Sequence, residues 1–222
     1  VLQDSPHLYW RMNETSGTNC ADSSGSNFGA TLAGSFTRNQ AVILPATSDP
    51  STSIGASAIG ADQAATAGGS ISGNRTAISV EAWIKTGHSG QIVNSDTGSG
   101  AGRLFQFFLG GGQFAFTVFD TGVSSHQVIS TALTYADNNT HHIVATYDGT
   151  TMRCYFDGVA DANTTVATFT LNNVTGGQQV AIGGTLGASG VSLGGLASNV
   201  AVYYTALSAA RVLAHYNAGH TP

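Results

Sequence analysis

The sequence predicts an all-β fold, a sandwich or a barrel, closed by one short helix near the C-terminus. Three observations carry this. The stretch His141–Gly158, HHIVATYDGTTMRCYFDG, holds two Asp-Gly pairs, Asp148-Gly149 and Asp157-Gly158, each next to an alternating run. Asp-Gly tolerates the positive φ of a tight hairpin turn, so closely spaced pairs read as a meander. Ile143, Ala145 and Tyr147 alternate with Val144 and Thr146, so both faces of that strand are apolar or β-branched and both are expected to be covered. Helical spacing is confined to TALSAARVLAHYN, Thr205 to Asn217.

The elements follow in order. Leu8, Trp10 and Met12 alternate with Tyr9 and Arg11 and predict a first strand after a turn at Asp4-Ser5-Pro6. Asn13 to Gly34 is rich in Gly, Ser, Asn and Asp and reads as loop. Ala41 to Leu44 reads as a short strand stopped by Pro45. Ala46 to Gly73 is built of small residues, with Ile54, Ile59 and Ile71 as its large apolar anchors, and reads as short edge strands and a surface excursion. A linker between two domains is the other reading of that stretch, but neither flank alone has strands enough for a sheet sandwich.

Ile78 to Thr86, ISVEAWIKT, is a strand with Val80, Ala82 and Ile84 on one face and Glu81, Trp83 and Lys85 on the other. A short strand, Gly90 to Asn94, precedes the Gly-rich loop Asp96 to Gly102. That loop lacks the lysine and following helix of a phosphate-binding loop. Arg103 to Leu109 and Gln113 to Asp120 flank three glycines as a hairpin, and their phenylalanines mark the centre of the core. Further strands are expected over His126 to Leu133, Val166 to Leu171, Gln179 to Gly183 and Gly195 to Tyr204. In the helix Ser208 is a natural N-cap, Leu207, Val212, Leu213 and Tyr216 form the buried stripe, and Gly219 is the stop.

Composition narrows the function. The chain has 222 residues with 9% charged and a formal net charge of −5. That length suits one all-β domain spanning 1–222. There is one lysine and no basic run, which argues against a nucleic-acid partner. No apolar run is long enough to insert in a membrane. Val1 in place of a methionine reads as a processed product or a piece of a longer chain. Cys20 and Cys154 form no metal motif, and three readings stand for them: small core hydrophobes, a disulfide, or a reactive thiol.

Four segments in order, DSPHLYWRMNETSGTNCADSSGSNFGATLAG, ISVEAWIKT, HHIVATYDGTTMRCYFDG and GGLASNVAVYYTALSAARVLAHYNAG, resemble laminin-G-like domains of the concanavalin A-like lectin/glucanase superfamily. They are most like those in bacteriophage tail and surface proteins. The resemblance implies a two-sheet antiparallel jelly-roll sandwich with six or seven strands per sheet. It also implies one structural calcium ion, with Asp22 at the family's acidic position and Asn27, Ser198 and Asn199 near it. Ser198 and Asn199 stand where the family often has Asp-Glu, which removes two carboxylates that calcium favours. A solvated Asx turn at Asp22 is the competing reading.

The superfamily's hydrolases need a carboxylate pair. Glu81 has no second carboxylate near it on its strand, and Asp157 serves a turn. His141 and His142 point to opposite faces and cannot hold one ion together. The expectation is a non-catalytic recognition or adhesion domain of a virion or extracellular cell-surface protein, binding carbohydrate through Trp83, Tyr155, Arg103, Asp120 and His126. Trp83 also matches a core tryptophan of the family. Loops 94–103, 120–126 and 184–193 are alternative sites, since loops on a rigid scaffold often bind. The alternative function is a structural or decoration module in a phage tail, capsid or surface filament, packing against other subunits or copies of itself. A glycoside hydrolase is the third.

Overall fold

Both faces of Ile78–Thr86 are buried: Val80, Ala82 and Ile84 on one, Glu81 and Trp83 on the other. A strand covered on both sides sits at the middle of a layered structure, and the computed structural model is built around it. It describes residues 1–55, 63–66, 75–96, 102–131, 134–172, 179–184 and 192–220. After a 3-10 turn at Leu2–Asp4 come β1 (Leu8–Trp10), β2 (Asn19–Cys20), β3 (Ala30–Ala33), β4 (Phe36–Gln40), β5 (Ser51–Ile54) and β6 (Gln63–Thr66). The middle of the chain forms β7 (Ile78–Thr86), β8 (Gly90–Asp96), β9 (Arg103–Gly110), β10 (Gln113–Phe119) and β11 (Ser125–Ile129). Last come β12 (Thr140–Tyr147), β13 (Thr151–Phe156), β14 (Val159–Val166), β15 (Ala181–Ile182), β16 (Gly195–Tyr203) and α1 (Ala209–His220).

These strands make a sandwich of two antiparallel eight-stranded sheets. The first runs β14-β13-β12-β7-β16-β5-β4, with β1 also on β16. Strand β16 is long enough to serve two short partners end to end: Gly195–Ala197 pair with β5 and Val200–Val202 with β1. Between them Ser198 and Asn199 form an irregularity, with Asn199 at φ 50. The second sheet runs β11-β10-β9-β8-β15-β6-β3-β2.

The main core lies between the sheets. Val80, Ala82, Ile84, Ile143 and Ala145 meet Phe105, Phe107, Phe114 and Phe116 there. Phe107 meets Phe116 edge-on at 5.8 Å, and Phe114 stacks on Phe156 at 4.9 Å. Each buried phenylalanine contributes about 1.5–3 kcal/mol before entropy. Cys154 lies in this core in phase with Met152 and Phe156. Cys20 is buried against Met12 and Arg38, and both thiols are free, so the small-hydrophobe reading holds and the disulfide does not form.

A second, smaller core lies on the outer face of the first sheet. Tyr9, Val144, Tyr155 and Tyr203 pack there with Leu207 and Val212. Ile43 and Leu44 close over Trp83 beside them. The helix that covers this face begins as expected, with Ser208 Oγ accepting the Arg211 N–H at 3.3 Å. Its stripe differs from the expected one. Val212, His215 and Gly219 are buried, while Leu213 is 44% exposed. Gly219 does not stop the helix but lies within it. A Cβ there would stand 2.4 Å from Trp83 Cζ2, so glycine is what lets the last turn approach the sheet.

Other differences have local causes. Ala41–Leu44 is not a strand: Ile43 and Leu44 are apolar because they cap Trp83. The supposed loop 13–34 contains β2 and β3, short strands with few large apolar residues to reveal them. Strand β14 covers Val159–Val166 and not 166–171, because both of its faces are largely wet and its side chains show no alternation. The turn before it is as expected, with Asp157 at φ 49 and Gly158 at φ 82. Ile59, Ile71, Leu133, most of the Gly-rich loop after Asp96 and residues 185–191 of the last alternative loop lie outside the described residues.

Candidate functional site

Alternation along β7 places Glu81 and Trp83 on the outer face, and the neighbouring strands fill in around them. On β12, His142 lies opposite Trp83, and on β16, Ala201 lies opposite Glu81. The helix lowers His215 onto Glu81 from above. The Glu81 carboxylate is buried, and all its lone pairs have partners. Oε1 accepts from His142 Nε2 at 2.8 Å and His215 Nδ1 at 3.1 Å. Oε2 accepts from the Tyr203 hydroxyl at 2.6 Å and again faces His215 Nδ1 at 3.1 Å. The other nitrogen of His215 reaches Asp4 Oδ2 at 2.7 Å, and Arg211 forks onto both oxygens of Asp4 at 2.7 and 2.6 Å.

The charges follow from this geometry. Burial pushes the Glu81 carboxyl up, but donation from His142 and His215 outweighs it and holds the group well below the carboxylate range. Burial lowers the His215 imidazolium, while its bonds to Glu81 and Asp4 raise it further, leaving it above its usual value. With a carboxylate on each ring nitrogen, His215 donates from both. The Arg211 fork holds Asp4 low against its partial burial. Burial, then the Glu81 charge, pushes the Tyr203 phenol far up.

Beside this network lies a cavity of about 350 Å³. Leu2, Leu44, Glu81, Trp83, Ala218 and Gly219 are among the residues that line it. Tyr9 and Asn199 are joined there by a hydrogen bond from the Tyr9 hydroxyl to Asn199 Oδ1. Arg11 and Asp49 line it as an ion pair, with their side chains 45% and 20% exposed.

The five residues expected to bind sugar do not converge. Trp83 reaches the cavity but is only 3% exposed, packed against His142 and Tyr216. Tyr155 lies on the same face but is buried under the helix with Val144 and Tyr203. Arg103, Asp120 and His126 gather at one end of the other sheet. There Asp120 accepts from the Gly122 and Ser124 N–H groups and meets His126 Nε2 at 3.0 Å. His126 stacks on Phe169 at 3.9 Å, and the Arg103 guanidinium lies over the Phe119 ring at 4.1 Å.

The four residues expected around calcium form two separate groups. Asp22 accepts four hydrogen bonds, from the N–H groups of Tyr9, Ser24 and Phe28 and from the Ser24 hydroxyl, at 2.8 to 2.9 Å. That fills the acceptor positions of a carboxylate. Asn27 belongs to the same turn, in the left-handed region at φ 63. Ser198 donates to the Arg11 carbonyl at 3.1 Å, and Asn199 is tied to Ser198 and to the far end of Tyr9. As arranged, this donor set does not fit an oxygen cage for calcium. Among the described residues no group of three or more His, Cys, Asp or Glu could hold a metal ion.

Sequence reasoning missed the parts of the network that come from far away: Asp4, Tyr203 and His215. A signal was present. Glu81 is one of only two glutamates, placed mid-strand on a face that must be covered, and a buried carboxylate needs partners. His215 falls at helical spacing between Val212 and Gly219.

No curated protein matches the chain. Solved structures with this fold include the binding domain of Paraclostridial Mosquitocidal Protein 1, at TM-score 0.70 and 14% identity over 98% of this chain and 53% of that one. The botulinum neurotoxin serotype G binding domain matches at TM-score 0.69 and 12% identity, over 95% and 50%. The serotype D ligand binding domain in complex with N-acetylneuraminic acid matches at TM-score 0.65 and 14% identity, over 97% and 51%. The chain thus spans about half the length of these proteins, and at such identities the likeness concerns the fold. Residues 59–213 match the Laminin_G_3 model of the concanavalin A-like lectin/glucanases superfamily, and with most of its length so matched the chain belongs to that family.

Proposed function

We propose that the chain is a non-catalytic recognition domain that binds carbohydrate, displayed on a virion or a cell surface. One observation carries the non-catalytic part. The buried carboxylate that lines the cavity, Glu81, has both oxygens saturated by His142, His215 and Tyr203. A general acid must hold a proton near working pH, and a general base needs a free lone pair. Glu81 has neither. Asp49, the other carboxylate lining the cavity, is paired with Arg11. The carbohydrate part is supported by the family and by structural neighbours that are binding domains, one of them solved in complex with N-acetylneuraminic acid.

The test is a glycan array with the purified chain, followed by assay of the bound glycans for new reducing ends. The reading expects saturable binding without product. Product release would overturn it, and so would an array with no ligand.

A second reading, a structural module that packs against copies of itself, has one observation in its favour. Val159 and Val166 on the edge strand β14 are 67% and 77% exposed. Light scattering at rising concentration decides it: a monomer throughout argues for recognition, and growing assemblies argue for packing.

A further inference from the structure

We propose that the cavity between the N-terminal turn, β1, β7 and the last turn of α1 is a site for one neutral, hydroxyl-bearing sugar ring. This rests on the carbohydrate reading above and adds the place and the class of ligand.

Size comes first. About 350 Å³ lies at the lower end of the range of small-molecule pockets, suited to one ring and little more. The lining has two characters. The exposed Leu2 and Ala218 offer apolar surface to a ring, and the buried Leu44, Trp83 and Tyr9 complete an apolar and aromatic lining. Arg11 and Asp49 offer hydroxyl chemistry on the exposed side. Their ion pair joins one nitrogen of Arg11 to one oxygen of Asp49. That leaves further guanidinium N–H groups as donors and the second carboxylate oxygen as an acceptor on the same pair. A sugar hydroxyl both donates and accepts, so neighbouring hydroxyls are matched by a donor and an acceptor placed together.

Charge decides between neutral and acidic sugars. The charged side chains that line the cavity are paired with opposite ones, and so is Asp4 beside it. Glu81 faces His215, Arg11 faces Asp49, and Asp4 faces Arg211. An anionic sugar would find no unpaired cationic side chain here and would lie near the Glu81 and Asp49 carboxylates. A neutral ring meets neither cost. The acid sugar bound by the serotype D toxin domain belongs to a protein twice this length and 14% identical, so the chemistry of this cavity is its own guide.

The chain has two tryptophans, so two indole N–H signals report on it. Trp83 lines the cavity, while the Trp10 indole donates to the Phe28 carbonyl at 2.9 Å on the core side and serves as the reference. The experiment is a proton–nitrogen NMR titration with the methyl pyranosides of glucose, galactose and mannose, and with the methyl glycoside of N-acetylneuraminic acid as the anionic arm. The expected result is a saturable shift of the Trp83 signal with at least one neutral glycoside, Trp10 staying in place. Asp49→Ala is expected to weaken it at least tenfold and Ala218→Phe, at an exposed position on the mouth, to abolish it. An unmoved Trp10 signal shows that each variant is folded. Tighter binding of the anionic glycoside overturns the proposal. Glycan binding on the array with an unmoved Trp83 and no effect of either variant overturns the site and leaves the recognition reading standing. No binding of any sugar in either experiment overturns both.

Discussion

His215 stands 3.1 Å from Glu81, so the C-terminal helix is fastened to the central strand of the first sheet by a buried ion pair. The pair does not act alone. His142 adds a second imidazole, Tyr203 a hydroxyl, and Asp4 carries the chain of contacts to the N-terminal turn. Residues far apart in sequence are thereby held on one face of one sheet.

Breaking one partner of such a network leaves the others buried and uncompensated. Glu81→Gln is expected to cost about 3–5 kcal/mol. The midpoint of urea unfolding measures it. The triple change Glu81→Leu, His142→Leu, His215→Leu removes the buried charges together and is expected to cost less than Glu81→Gln alone.

The network also sets a pH window. Glu81 and Asp4 have lowered folded values, so their contribution is present above the unfolded carboxylate range and is lost as pH falls through their folded values. His215 and His141 are raised above 6.5, so their contribution is full below 6.5 and is lost as pH rises through their folded values. For His141 the cause is its hydrogen bond to Asp157, partly offset by burial. Stability is therefore expected to peak between the carboxylate range and pH 6.5 and to fall on both sides. Thermal unfolding at stepped pH tests it, and a peak above pH 8 would contradict it.

Gly219→Ala sets two effects against each other. Alanine favours a helix interior by about 1 kcal/mol over glycine. Against that, the added Cβ meets the Trp83 ring at 2.4 Å, and overpacking costs about 1–3 kcal/mol. A net loss of melting temperature is expected, with a changed Trp83 indole signal and an unchanged Trp10 one.

Calcium is expected to matter little. The oxygens of Asp22 already accept four hydrogen bonds. Melting curves in excess calcium and in EDTA should coincide within about 2 °C, since a saturated site at a hundred times its Kd would add about 2.7 kcal/mol.

The thiols are expected to be silent. Burial pushes Cys20 up to about 11 and Cys154 further. Neither should react with a disulfide reagent at pH 8 in the native protein, and both should react in denaturant.

The fold was legible in the sequence wherever one strand carried its own pattern. The alternation of Ile78–Thr86 and the Asp-Gly turns of the β12–β14 meander could be read residue by residue. Strand β14 could not, because a strand wet on both faces has no apolar period to display. The stripe of α1 differs from the expected one, since Leu213 looks like a core residue and His215 does not, yet the buried carboxylate below makes the histidine the better partner. The site was less legible still. Tyr9, Arg11, Asp49 and Asn199 meet at one cavity only because β1 and β5 share a flank of β16, and no spacing within a single segment encodes that pairing.

The central claim is that Glu81 is a fixed structural anion inside a binding domain and not a catalytic group. With only two glutamates in the chain, labelling the glutamate carboxyl carbon gives a spectrum with two signals to follow. The Glu81 signal is expected to keep its ionised position as pH is lowered through 4.5, the ordinary glutamate value, until the protein unfolds. A Glu81 that takes up its proton at or above 4.5, in the native state, would contradict the account.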